Sequence, residues 1–93
     1  MKEVEISVDI YGVWEKEPLG YRIYIDDEMM CERGFYAMEY EFYRDKMIVE
    51  LEPGIEHTFK FEQLSTIHQR HMLSYKNLLL NGEPVRPTFT VPN

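Results

Sequence analysis

Hydrophobic and polar positions alternate along most of this chain with the period of two that a half-buried strand requires. The longest such stretch is Met47 to Glu62. There Val49 and Leu51 alternate with Glu50 and Glu52, and Ile55, His57, Phe59 and Phe61 alternate with Glu56, Thr58, Lys60 and Glu62. Pro53-Gly54 separates the two runs. Proline presets φ at the first central position of a type II turn, and glycine accepts the positive φ of the second. The pattern predicts a hairpin of two antiparallel strands whose apolar face the rest of the chain must cover, and hence a β-sandwich.

The remaining runs supply that cover. Val4, Ile6, Val8 and Ile10 share one face of a first strand, with Glu3, Glu5, Ser7, Asp9 and Tyr11 on the other. Gly12 to Gly20 reads as a loop containing Trp14, and Tyr21 to Asp26 as a strand with Tyr21, Ile23 and Ile25 inward and Arg22 and Tyr24 outward. Asp26-Asp27-Glu28 marks a tight turn into a weaker strand, Met29 to Phe35. Ala37 to Tyr43 alternates Met38, Tyr40 and Phe42 against Glu39, Glu41 and Tyr43, and Arg44-Asp45-Lys46 reads as a polar turn. Gln63 to Met72 is a long connection, open between loop and a short helical turn. Leu73 to Leu80 is a strand ended by Asn81-Gly82, a strong turn signal. Pro84, Pro87 and Pro92 confine the C-terminal segment Thr88 to Val91 to a sheet edge. About eight short strands in one domain over residues 1–93 predict an all-β, antiparallel, jelly-roll-like sandwich.

Composition narrows the roles. Seventeen acidic residues against ten basic ones give a net charge of −7, which disfavours nucleic acid and anionic membrane surfaces as partners. No apolar run approaches membrane-spanning length, and the N-terminal Met-Lys-Glu-Val-Glu is too acidic for a signal peptide. The expected setting is soluble, compatible with the cytoplasm or a phage particle. Cys31 is the single cysteine, so no intrachain disulfide forms, and its apolar and acidic neighbours suit a buried structural thiol better than a nucleophile.

Candidate chemistry is sparse. His68 and His71 have a two-residue gap but no further ligands to complete a zinc site. The acidic turn at Asp26 falls short of the six or more oxygens calcium prefers. His57 lies on the apolar face, where a hydrogen-bonded core or corner histidine is the simpler reading. Neither cofactor nor metal nor catalytic residue is expected, and the chain reads as a non-enzyme. Aromatics are the exception. Tyr11, Tyr24 and Tyr43 fall on polar strand faces, Arg22 lies beside Tyr24, and Trp14 sits in a loop. Flat rings flanked by polar groups suit the C–H faces of sugars. These five residues are the candidate ligand-binding set, with cross-strand pairing of aromatics as the alternative explanation.

Two resemblances follow from these residues. Leu51-Glu52-Pro53-Gly54-Ile55-Glu56-His57 resembles the Leu-x-Pro-Gly-x-x-Tyr corner of fibronectin type III domains, with His57 at the position of that family's tyrosine. Over more of the chain, Arg22 to Glu28, Val49 to Phe61 and Asn77 to Val85 look like small jelly-roll carbohydrate-binding modules, and like β-sandwich accessory or structural proteins of tailed phages. The first likeness implies glycan binding. Some such modules hold sugar through calcium, but Ser65 to His71 supplies no carboxylate for it here. The phage likeness implies a structural or assembly role through a sheet face or edge strand, with a protein partner or a homo-oligomer.

Overall fold

A computed structural model describes residues 1–12, 20–35, 42–64 and 73–93. Eight strands run in the order β1 (Lys2–Gly12), β2 (Gly20–Ile25), β3 (Glu28–Gly34), β4 (Phe42–Leu51), β5 (Glu56–Leu64), β6 (Leu73–Leu80), β7 (Glu83–Pro84) and β8 (Thr88–Thr90). They form two four-stranded antiparallel sheets, ordered β4-β1-β6-β7 and β3-β2-β5-β8. This is the β-sandwich that the alternation predicts.

The core sits between the sheets. Val4, Ile6, Val8 and Ile10 of β1 meet Tyr21, Ile23 and Ile25 of β2, and Phe59, Leu78, Leu80, Phe89 and Val91 complete the interior. Both β1 and β2 are central strands, and their inward Val4, Ile6, Val8, Ile10, Tyr21, Ile23 and Ile25 are all buried. Two turns form as their sequences require. Asp26 and Asp27 both have positive φ (54° and 64°), as do Asn81 and Gly82 (49° and 82°), the pattern of two-residue type I′ hairpins. Asp and Asn tolerate that region because their short side chains hydrogen-bond locally. Asn77, also at positive φ (57°), marks a bulge in β6 where its register against β1 shifts.

Two expectations are corrected. Pro53-Gly54 does make a tight turn, with Gly54 at φ 82°, but the strands it joins do not pair. β4 pairs with β1, and β5 pairs with β2 and β8. The chain crosses from one sheet to the other at this corner. Gly54 N–H donates to the Val91 carbonyl at 2.9 Å, tying the corner to the C-terminal segment.

The second correction concerns Arg44-Asp45-Lys46, which is not a turn. It lies inside β4, with Asp45 facing inward opposite Val8. The register therefore turns Tyr43 to the interior side, opposite Ile10, and Phe42 to the outer side, opposite Tyr11. Gly12 and Gly20 are strand residues rather than loop ends, and Gln63 and Leu64 extend β5. Trp14, His68, His71 and most of the Ala37–Tyr43 run lie outside the described residues. Among those described, no helix is long and apolar enough to cross a membrane.

Candidate functional site

The outer face of the β4-β1-β6-β7 sheet carries two adjacent cross-strand rows. Phe42, Tyr11 and Ser74 form one, and Arg44, Asp9 and Lys76 form the next. The rings of Tyr11 and Phe42 lie 5.4 Å apart, centroid to centroid, at 34°. Lys76 Nζ is 5.3 Å from the Tyr11 centroid, and the Arg44 guanidinium carbon is 5.8 Å from that of Phe42, both within cation–π range. Asp9 anchors the second row. It accepts from Arg44 Nε at 2.8 Å and from Asn77 Nδ2 at 2.9 Å, and is itself buried beneath them. The Arg44 hydrogen bond outweighs burial and holds the Asp9 carboxyl below its ordinary range. The result is an aromatic pair, partly open to solvent, with a cation over each ring.

Arg22 and Tyr24 belong to the opposite outer face. Arg22 Nε bonds Glu32 at 2.9 Å and approaches Glu62 at 3.7 Å. The Tyr24 hydroxyl donates to Glu62 at 3.3 Å, and Lys60 stands 5.5 Å from the ring centroid. This ladder satisfies its polar groups internally. The structure thus brings Arg22 and Tyr24 together, sets Tyr11 on the other side of the sandwich, and turns Tyr43 to the interior side of its sheet, where it remains exposed at the strand end. Sequence reasoning missed Phe42, Arg44 and Lys76. The alternation running back from Leu51 reaches Arg44 and Phe42 once Asp45 is allowed to face inward, and the three consecutive polar residues obscured that.

Two polar clusters lie inside. Asp45, 0% exposed, accepts at Oδ2 from the Tyr21 hydroxyl (2.6 Å) and Arg33 Nε (2.7 Å), with the Cys31 thiol at 3.8 Å. Its Oδ1 is buried without a hydrogen-bond partner among the described residues. Burial, reinforced by the Asp45 hydrogen bond, pushes the Tyr21 hydroxyl well above its ordinary value. Burial and the Asp45 charge raise the Cys31 thiol, so it stays protonated and unreactive.

At the interstrand corner, His57 Nδ1 lies 2.5 Å from Asp26 Oδ2 and Nε2 lies 2.8 Å from the Glu52 carbonyl. Asp26 also accepts from the Thr58 N–H at 2.9 Å. With acceptors at both nitrogens, only the imidazolium donates to each. Burial opposes the charged ring, but the Asp26 and Glu52 hydrogen bonds outweigh it and raise the His57 pKa. Both nitrogens are engaged, so neither is left to take a substrate proton. Among the described residues no three His, Cys, Asp or Glu side chains converge as metal ligands.

No protein-family model matches the chain, and neither does any curated protein or solved structure.

Proposed function

We propose that this chain is a non-catalytic binding module that docks a glycan on the outer face of the β4-β1-β6-β7 sheet. The observation that carries this reading is the Tyr11–Phe42 pair with Lys76 and Arg44 over its rings. Aromatic faces receive the C–H patches of a sugar ring, and the neighbouring cations and the Ser74 hydroxyl supply hydrogen bonds at its rim. Cations beside the rings favour acidic sugars over neutral ones. The resemblance to jelly-roll carbohydrate-binding modules supports the role. The corner resemblance supports a fibronectin type III-like scaffold instead: its turn passes between sheets, and His57 bonds back to Glu52 as that family's tyrosine bonds upstream. Either scaffold leaves the sheet face free to bind.

Glycan-array screening and affinity-gel retardation test the proposal. Tyr11→Ala and Phe42→Ala should each weaken binding about tenfold, the scale of one lost aromatic contact. Tyr24→Ala, on the far face, should leave binding unchanged. Retention of no carbohydrate, or full binding by Tyr11→Ala, overturns it.

A second reading, a structural or assembly component such as a tailed-phage accessory protein, is favoured by one feature. β4 is a ten-residue strand at the end of its sheet order.

A further inference from the structure

We propose that β4 is a self-complementary edge through which two copies of this chain pair antiparallel, about a two-fold axis at Ile48, into one continuous eight-stranded sheet. The inference deepens the assembly reading; it shares Arg44 with the proposed glycan face, but its test varies only Lys46, Ile48 and Glu50. Among the described residues only β1 pairs with β4, so its other backbone edge offers a row of N–H and C=O groups. Natural edges are commonly blocked by charged side chains, lysine above all. Here the signs are segregated along the outward positions. Arg44 and Lys46 come first, Ile48 stands in the middle, Glu50 follows, and Glu52 lies one residue beyond the strand, all of them exposed.

Antiparallel pairing centred on Ile48 sets Ile48 opposite its own copy, Lys46 opposite the partner's Glu50, and Arg44 opposite the partner's Glu52. The two-fold repeats each charge pair. On the inward side the same register sets Met47 against the partner's Val49, apolar against apolar, and Asp45 against the partner's Leu51. A four-residue slip destroys this match, whereas a two-residue slip, to a centre at Met47 or Val49, keeps one kind of charge pair but separates the two Ile48 side chains. Centring on Lys46 opposes two lysines, and centring on Glu50 opposes two glutamates, each a destabilising cross-strand pair. Ile48 itself is 61% exposed in the single chain, a β-branched side chain with no cover on an otherwise charged row. The pairing covers it and uses the backbone groups that an isolated sandwich leaves to water.

Sedimentation equilibrium and light scattering of the native chain should show a concentration-dependent dimer. About 1 M salt, which shortens the screening length to about 3 Å, should weaken it several-fold. Ile48→Lys should abolish association, and Lys46→Glu should weaken it at least about tenfold by opposing two acids. The double exchange Lys46→Glu with Glu50→Lys should restore it, because each new acid then faces a new lysine. All three positions are exposed, and an unchanged circular dichroism spectrum checks each variant's fold. A strict monomer up to about 1 mM, an Ile48→Lys dimer, or a double exchange that stays monomeric overturns the proposal.

Discussion

Two carboxylates brace this sandwich, Asp45 between its sheets and Asp26 within one of them, and they do so under opposite conditions. Asp45 is buried at the side closed by β3 and β4, where its Oδ2 gathers the Tyr21 hydroxyl and Arg33 while Oδ1 has no partner among the described residues. Asp26 sits in an exposed turn, and both its oxygens are used, by His57 and by the Thr58 N–H. The first tie depends on a guanidinium that stays charged and a phenol that stays protonated, since contact with Asp45 raises Arg33 and burial raises Tyr21. The second depends on a histidine whose charged form the Asp26 and Glu52 hydrogen bonds favour against burial. Low dielectric makes the buried tie the more costly to break, and titration makes the corner the more responsive.

Breaking the buried tie should have the largest effect. Arg33→Met leaves the Asp45 carboxylate in the interior without its cation and should cost about 3 kcal/mol, the lower end for a split buried pair because Arg33 is itself partly exposed. Urea unfolding measures it. Tyr21→Phe keeps the ring and removes one donor to a charged acceptor, for an expected loss of about 2 kcal/mol.

At the corner, His57→Phe fills the same space but leaves the Glu52 carbonyl without its donor, and about 1–2 kcal/mol should be lost at pH 6. The pH dependence distinguishes the two ties further. The His57 pKa is raised from 6.5 in the fold, so its contribution is complete below 6.5 and disappears as pH climbs through the folded value. Asp26 is lowered from 3.8: burial opposes its charge, but the His57 hydrogen bond prevails. Its contribution is complete above 3.8 and disappears as pH falls through the folded value. The corner should therefore be strongest between about pH 4 and 6.5. Thermal midpoints of the native chain should decline above that window, and the decline should be shallower in His57→Phe. An equal slope in both would remove His57 as the titrating group.

The smallest effect is expected outside the core. Arg22→Ala breaks the exposed ladder to Glu32 and Glu62, where water and salt already screen the charges, and the unfolding midpoint should not move measurably.

Much of this fold is legible residue by residue. β1, β2 and the Asp26-Asp27 and Asn81-Gly82 turns follow from alternation and turn chemistry, because both are local: side-chain direction has period two, and positive φ selects Asp, Asn or Gly. The binding platform was only half legible. Tyr11 announces itself as an outward aromatic, but its partners Phe42, Arg44 and Lys76 come from strands distant in sequence, and the register that joins them is set by pairing. Asp45 shows why. A charged residue inside a polar trio looks solvated until Tyr21 and Arg33, supplied by the other sheet, make its burial tolerable.

By itself the sequence determined which faces of β1 and β2 turn inward, where the Asp26-Asp27 and Asn81-Gly82 turns fall, and that two apolar sheet faces must meet, since these depend on the backbone period and on individual side chains. Only the tertiary structure decided that the Pro53-Gly54 turn crosses between sheets, that His57 closes it against Asp26, and that β4 lies at an edge. Those outcomes depend on which strand gains most by lying beside which, a comparison among non-local pairings that no short stretch of sequence contains.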